Sequence, residues 1–279
     1  MFDLILIIRI VILLIACSIA AYTDHKSGYI YNSLSYSLII IALILDIFTF
    51  PFSKLLEVIG ISVIIYLVGY LIYYLGKIGG GDIKLFIGIN LILPYYFGQL
   101  FILWVLIFSS LFSVLIVSII YSFKLYKKIK TWKNYFSNNW KKIIRSLVIF
   151  IMFAVMLSLS INNSALPKYF YLFLIPIFFG LASLVFEEDI KKYIYLRNKP
   201  VSKIEDGDIL AIEYLSKALR LKFEKIGLSK RSVIEEEDLK KIRALKLRTI
   251  PIYDNLPRFG PYILLGAIFV LIIGKYLIF

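Results

Sequence analysis

Long apolar runs dominate this chain of 279 residues. They recur along almost the whole sequence, and several reach the roughly 20 residues needed to cross the hydrocarbon core of a bilayer. Hydrophobic residues make up 61% of the chain, which is more than one soluble core of this length would use. The sequence therefore predicts an all-α, polytopic integral membrane protein.

Eight segments are candidate membrane spans. The fourth is the weakest, because Pro94 interrupts it and Gly98 follows, so we expect six to eight spans. Arg9 lies within the first run and Asp24 at its far end, which argues against a cleavable signal peptide. The candidates cover residues 2–22, 34–50, 55–76, 83–97, 99–123, 145–161, 168–186 and 260–278.

The distribution of charge predicts the orientation of these spans. Residues 124–145 contain eight Lys or Arg and no acidic residue, and residues 187–258 contain 17 basic and 13 acidic residues. Alternating spans place both stretches on one side, together with the loops 23–33 and 77–82. The positive-inside rule makes that side cytoplasmic and leaves both chain termini outside.

We predict three regions along the chain: a membrane region over residues 1–186, a soluble cytoplasmic segment over 187–258, and a last span over 259–279. The basic loop 124–145 carries large apolar residues at steps of three and four, a pattern typical of an interfacial amphipathic helix. The net charge of +14 therefore favours contact with acidic membrane lipids rather than with nucleic acid.

The soluble segment is predicted to be small and mostly helical. One helix is expected from Ile209 to Ile226, with Asp208 as its N-cap. A second is expected from Val233 to Leu247, where Ser232 and Glu235 fit a capping box.

Asp82 is the first candidate for chemistry. It follows the glycines Gly79, Gly80 and Gly81 at the boundary between two apolar segments. A carboxylate at such a boundary is costly to bury, and glycines allow another backbone to approach closely. Asp24 ends the first apolar segment, and the predicted topology brings it to the same membrane face.

Two carboxylates at one face can share a proton and perform acid and base chemistry. Asp82 begins a helix, where the dipole favours the ionised form, whereas Asp24 ends one, where the dipole favours the protonated form. We therefore expect Asp82 to be the base and Asp24 the acid. The alternative is that each carboxylate simply caps a turn in contact with water.

Three other features are secondary to this pair. Lys84 is expected either to reach lipid headgroups or to hold Asp82 ionised. Arg9 and Asp46 lie at similar depth and are expected to form an ion pair far from the site. With Cys17 and His25 the only residues of their kinds, neither a metal nor another cofactor is expected.

The Asp82 region resembles the type IV prepilin peptidases and archaeal preflagellin peptidases, membrane aspartyl proteases with a Gly-x-Gly-Asp motif. Gly79, Gly81 and Asp82 carry the motif, which continues through Lys84-Leu85. The Asp24 stretch is also similar, although Tyr31 stands where proline is usual in the Ile-Pro-Asn sequence that here ends at Asn32. The two aspartates are 58 positions apart with two apolar spans between them, as in this family.

The resemblance implies that Asp24 and Asp82 form a catalytic dyad, with Gly79, Gly80, Gly81, Lys84 and Asn32 as motif or substrate-binding residues. It also implies cleavage of a short, charged leader from archaellin or type IV pilin-like precursors at the cytoplasmic membrane face. Bacterial members often carry a four-cysteine zinc element and an N-methyltransferase activity. Because this chain has one cysteine, we expect protease activity only.

Two other functions stay open at this point. The aspartates could serve an ion- or proton-coupled transporter, which should have further polar residues along a path to the far side. The chain could also be a non-catalytic assembly factor of a surface filament, for which both carboxylates should be dispensable.

Overall fold

Helices make up most of the chain in the computed structural model. The model describes residues 2–75, 78–129, 132–163, 168–225, 227–228, 233–245, 247–254 and 256–276. Within these residues five helices are long and apolar enough to cross a membrane, or six if one bent pair forms a single span. The all-α, polytopic membrane class predicted from the apolar runs is confirmed.

The chain divides into two compact units, and the first comprises residues 1–110 and 258–279. A short central helix in this unit packs against the three helices that precede it, and the last helix packs against the first. The helices of this unit are α1 (Phe2–Ser27), α2 (Asn32–Thr49), α3 (Phe52–Tyr74), α4 (Gly80–Ile92), the first residues of α5 (Phe101–Tyr126) and α11 (Gly260–Ile273).

The first helix, α1, has one buried apolar face and one exposed apolar face. Leu13, Cys17 and Ala20 lie three to four residues apart and are buried in the unit. Ile15 and Ile19 lie between them and are exposed. In a membrane protein such exposed apolar side chains face lipid, so the inward stripe is what aligns α1 with its neighbours.

The short helix α4 runs antiparallel to α1. Arg9 on α1 donates a hydrogen bond to the Ile92 carbonyl at the end of α4 (2.9 Å), whereas Asp82 lies at the beginning of α4. The span predicted over 83–97 is therefore shorter than expected. Because Pro94 cannot continue the helix, the chain enters a small hairpin of β1 (Tyr95–Tyr96) and β2 (Gln99–Leu100).

The second unit comprises residues 111–257. It contains the rest of α5, then α6 (Trp132–Asn162) and α7 (Leu174–Val185). The interfacial helix expected over 124–145 does not form as one element. Its first residues end α5, and its last part is continuous with the apolar segment of α6, because helical periodicity extends through both.

A three-stranded antiparallel sheet lies near the end of this unit, in the order β3–β5–β4. Its apolar face meets two short helices around a core that includes Phe223, Ile242, Ile250 and Ile252. The sequence analysis predicted no sheet here. The elements are β3 (Leu196–Pro200), β4 (Ile209–Leu210), α9 (Lys217–Lys225), α10 (Glu236–Ala244) and β5 (Thr249–Tyr253), with α8 (Glu187–Ile190) before them.

The helix predicted from Ile209 begins only at Lys217, because Ile209 and Leu210 pair with β5. Asp208 does not cap that helix, since its carboxylate accepts a hydrogen bond from Lys199 Nζ at 2.8 Å.

The second predicted helix is present as α10 and is shorter at both ends. Ser232 lies outside the described residues. The capping box at the start of α10 joins Glu235 to Asp238, whose Oδ2 accepts a hydrogen bond from the Glu235 N–H at 3.1 Å.

Candidate active site

Asp82 is fixed at the beginning of α4 by the backbone of Gly79. The Gly79 N–H donates a hydrogen bond to Asp82 Oδ2 at 3.1 Å, and the Asp82 N–H donates one to the Gly79 carbonyl at 3.1 Å. These reciprocal bonds satisfy groups that the helix start leaves free. The Asp82 side chain is buried, so its direction is set by the turn that precedes it.

The three glycines before Asp82 have different surroundings. A Cβ at Gly81 would lie 3.0 Å from Ile30 Cβ and 3.2 Å from the Ile30 carbonyl oxygen. A Cβ at Gly80 would make only ordinary contact, 3.7 Å from the Tyr73 ring. The close backbone approach that glycine permits is therefore needed at Gly81, where α4 meets the chain that follows α1.

Asp24 lies near the end of α1 and is buried as well. Its Oδ2 accepts a hydrogen bond from the backbone N–H of Gly260 at 2.8 Å, a contact across 236 positions of sequence. Gly260 is the first residue of α11. The start of α11 therefore supplies a backbone donor to the aspartate that ends α1.

The fold brings the two aspartates into electrostatic contact. Asp82 lies outside the helices long enough to span a membrane. Burial, and then the neighbouring charge of Asp24, raise the pKa of Asp82 to about 7, with the Gly79 N–H acting in the opposite direction. Two carboxylates that interact in this way titrate as a pair, so that Asp82 keeps its proton to a higher pH than a free aspartate does.

Lys84 contacts two side chains of α2. Its Nζ donates a hydrogen bond to Asn32 Oδ1 at 2.6 Å and lies over the Tyr36 ring, 5.2 Å from the ring centroid. Lys84 and Asn32 are thereby joined to each other across α4 and α2. Together they tie the second turn of α4 to the first turn of α2.

The sequence did not lead us to predict that the segment before α11 contributes to the site of Asp24 and Asp82. The guanidinium of Arg258 lies against Gly28, where a Cβ would overlap it. Gly28 has φ +80°, the left-handed conformation that often follows a helix end. Arg258 acts electrostatically on Asp24. The pair Gly260-Pro261 was the available sequence signal for the start of this helix, because proline is common in the first turn of a helix.

The predicted ion pair at the opposite end of α1 is present. Arg9 Nη2 lies 2.8 Å from Asp46 Oδ1, and both side chains are almost completely buried. Arg9 also donates hydrogen bonds to Thr49 Oγ1 and to the Ile92 carbonyl. These contacts of Arg9 therefore fix the end of α4 that lies away from Asp82.

The described residues contain no cluster of three or more His, Cys, Asp or Glu that could hold a metal ion. Asp24 and Asp82 are two buried carboxylic acids on different helices. Such a pair can activate a water molecule and transfer a proton to a leaving group.

Fold and site together define a multi-pass membrane protein with a buried aspartate pair. The model of the type IV leader peptidase family matches residues 11–123. The match contains both aspartates and the glycine motif, and it confirms, over this part of the chain, the family resemblance seen in the sequence. A search of curated proteins and a search of solved structures each found no match.

Proposed function

We propose that this chain is an aspartic endopeptidase that removes the leader peptide from archaellin or type IV pilin-like precursors. Asp24 and Asp82 are its catalytic residues, and the cut is made at the cytoplasmic face of the membrane. The match to the leader peptidase family supports a leader peptidase. The aspartic mechanism rests on the residues of this chain.

The observation that carries the proposal is the electrostatic coupling of Asp24 to Asp82. The two residues come from different helices, and both are buried. Burying two acidic groups beside each other is costly for folding unless they share a proton. A shared proton is also what peptide hydrolysis by a carboxylate pair requires.

The proton begins on Asp82, and Asp24 is ionised. Burial works against the ionised form of Asp24, whereas the Gly260 N–H and the positive charge of Arg258 stabilise it. This assignment reverses the roles expected from the helix dipoles.

Hydrolysis then proceeds in two steps. Asp24 takes a proton from water, the water oxygen bonds to the scissile carbonyl carbon, and Asp82 gives its proton to the carbonyl oxygen. Asp24 then returns its proton to the amide nitrogen as the carbon–nitrogen bond breaks, and a hydroxyl proton of the intermediate passes back to Asp82. The pair is restored, and no other reactant is consumed.

The substrate lies extended beside the turn of Gly79, Gly80 and Gly81. A peptide bond must leave its helix to expose the carbonyl to the two carboxylates. Glycine backbone without side chains lets such a strand come close. Gly80 is the favoured contact point, because a Cβ there would have no neighbour closer than 3.7 Å.

The charge of the sequence supports the cytoplasmic location. The loops that carry Asp24 and Asp82 fall on the same side as the two basic stretches, 124–145 and 187–258, when the eight apolar runs alternate across the bilayer. The proposal therefore requires the short helix α4 to cross the bilayer as one of these runs.

The test is cleavage of leader-bearing precursors by the purified protein in detergent, with the cut mapped by mass spectrometry. Asp24→Asn and Asp82→Asn should each lose at least about a thousandfold in rate, because each removes one half of the proton transfer. Glu57→Gln is the matched control, since Glu57 is an exposed carboxylate that pairs with Lys54. A processing rate near wild type in either aspartate variant contradicts the proposal and favours an assembly factor.

A further inference from the structure

The start of α11 is built around Asp24. Besides the hydrogen bond from its N–H, Gly260 lies so close to α1 that a Cβ would be 2.9 Å from Asp24 Cβ and 3.2 Å from the Ala20 carbonyl oxygen. The second of these neighbours is backbone, which moves only with the helix. Residue 260 must therefore be glycine for α11 to approach Asp24 this closely.

Arg258 acts on the same carboxylate through its charge. Its guanidinium lies on Gly28, and the Gly28 N–H in turn donates a hydrogen bond to the Asp24 carbonyl at 2.8 Å. Gly28 leaves open the space that the guanidinium fills. Arg258 is itself exposed to solvent, so it places a permanent positive charge at the outer edge of a buried acidic group.

From this geometry we infer that Arg258 and Gly260 are positioning residues for the catalytic pair, which hold the Asp24 carboxylate in place and in its ionised form. The inference rests on the proposed function and deepens it. It assigns the segment before the last helix to the active site, although that segment lies outside the matched residues 11–123.

The groups that face Asp24 come from three helices. Burial opposes ionisation of Asp24, and the charge of Asp24 in turn opposes ionisation of Asp82 on α4, because like charges repel. Arg258, just before α11, and His25, on α1 itself, favour ionisation of Asp24. Gly260 and Phe259 add directional contacts from backbone N–H groups, which cannot be titrated. Removing Arg258 should therefore change the pH at which Asp24 ionises without removing the bond that orients it.

The pH dependence of cleavage separates this role from a merely structural one. Arg258→Gln should move the acidic limb of the rate profile upward by about one pH unit, because an opposite charge near a carboxylate acts with that magnitude. Arg258→Lys should retain most of the wild-type profile. Lys26→Gln is the matched control, since it removes an exposed charge two residues from Asp24 and should leave the limb in place.

Gly260→Ala tests the close approach itself. We expect at least a tenfold loss in kcat at the optimal pH, because the added methyl group displaces α11 from Asp24. Gly60→Ala is the matched control, since no atom lies within 4 Å of a Cβ at that position. Equal activities of the two alanine variants would contradict the role of Gly260.

A measurement that does not depend on cleavage tests the same idea. In the Asp82→Asn background, infrared pH titration follows the carboxyl band that is lost when Asp24→Asn is added. Adding Arg258→Gln should raise the midpoint of this band by about one pH unit, and adding Lys26→Gln should not.

Failure of the proposed function and failure of this inference give different results. If the wild type cleaves no precursor, the proposed function is wrong and the infrared midpoints still test the inference. If cleavage occurs and Arg258→Gln matches Lys26→Gln in both measurements, the inference is wrong and the proposed function stands.

Discussion

Lys84 Nζ donates a hydrogen bond to Asn32 Oδ1 at 2.6 Å, so that two residues of the predicted motif contact each other rather than an aspartate. Asn32 is the first residue of α2, and Lys84 lies in the second turn of α4. Their pairing brings together a lysine and an asparagine that are far apart in sequence. They join the helices that flank the aspartate pair.

Lys84→Met and Asn32→Ala should each lower the cleavage rate by a few-fold, because the exposed bond between them contributes only about 0.5–1 kcal/mol. The double variant should lose no more than either single variant, since both remove the same contact. Steady-state rates of the four proteins complete the cycle. Fully additive losses would mean that the two residues act separately.

The aspartate pair was predictable from sequence because the membrane topology and the distribution of charge can both be read from the order of residues. Asp24 and Asp82 follow apolar runs of countable length, and an even number of spans separates them. The motif glycines and the Arg9–Asp46 pair were accessible by the same reasoning, because depth in a membrane can be read from position within an apolar run.

Contacts made by distant backbone could not be predicted. The sequence does not indicate which acceptor a glycine N–H will bind. The hydrogen bond from Gly260 to Asp24 is therefore seen only in the structure. The strand β4 was missed for a related reason. A two-residue strand such as Ile209–Leu210 has no measurable periodicity, and its conformation is set by pairing with Ile252 and Tyr253.

The charge state of Asp82 predicts an alkaline limit to activity. Burial and the charge of Asp24 raise its pKa to about 7. In the proposed mechanism Asp82 must hold a proton, so the rate of peptide cleavage should fall tenfold per pH unit above that value. A rate profile between pH 4 and 9 measures this limit.

The same shift predicts how stability depends on pH. Because the pKa of Asp82 is raised on folding, the protonated form favours the folded state, and this contribution is lost as the pH rises through about 7. Asp82→Asn should remove that part of the dependence. Thermal unfolding in detergent at pH 5 and pH 8 compares the two proteins, and an identical pH dependence in both would contradict the assignment.

Gly80 and Gly81 should respond very differently to alanine. A Cβ at Gly81 would be 3.2 Å from the Ile30 carbonyl oxygen, whereas one at Gly80 would be 3.7 Å from the nearest atom, on the Tyr73 ring. Gly81→Ala should displace the start of α4 and lower kcat at least tenfold. Gly80→Ala should leave the fold intact, so a rise in KM without a change in kcat would support substrate contact there.

The buried group at the far end of α4 should control stability. Arg9 and Asp46 are 5% and 0% exposed, and removing one partner leaves the other charge without compensation. Arg9→Gln or Asp46→Asn should therefore lower the free energy of unfolding by about 3–5 kcal/mol. Thr49→Ala removes one hydrogen bond of the same group and should cost about 1 kcal/mol.

Replacing both charges together distinguishes an ion pair from simple packing. Arg9→Met combined with Asp46→Leu leaves no unpaired charge, so the double variant should be more stable than either single variant. The Leu91 and Ile92 carbonyls would still lose their donor, and part of the deficit should remain for that reason. Unfolding midpoints in detergent measure the cycle. A double variant less stable than both singles would show that Arg9 and Asp46 act independently, each holding its own neighbours.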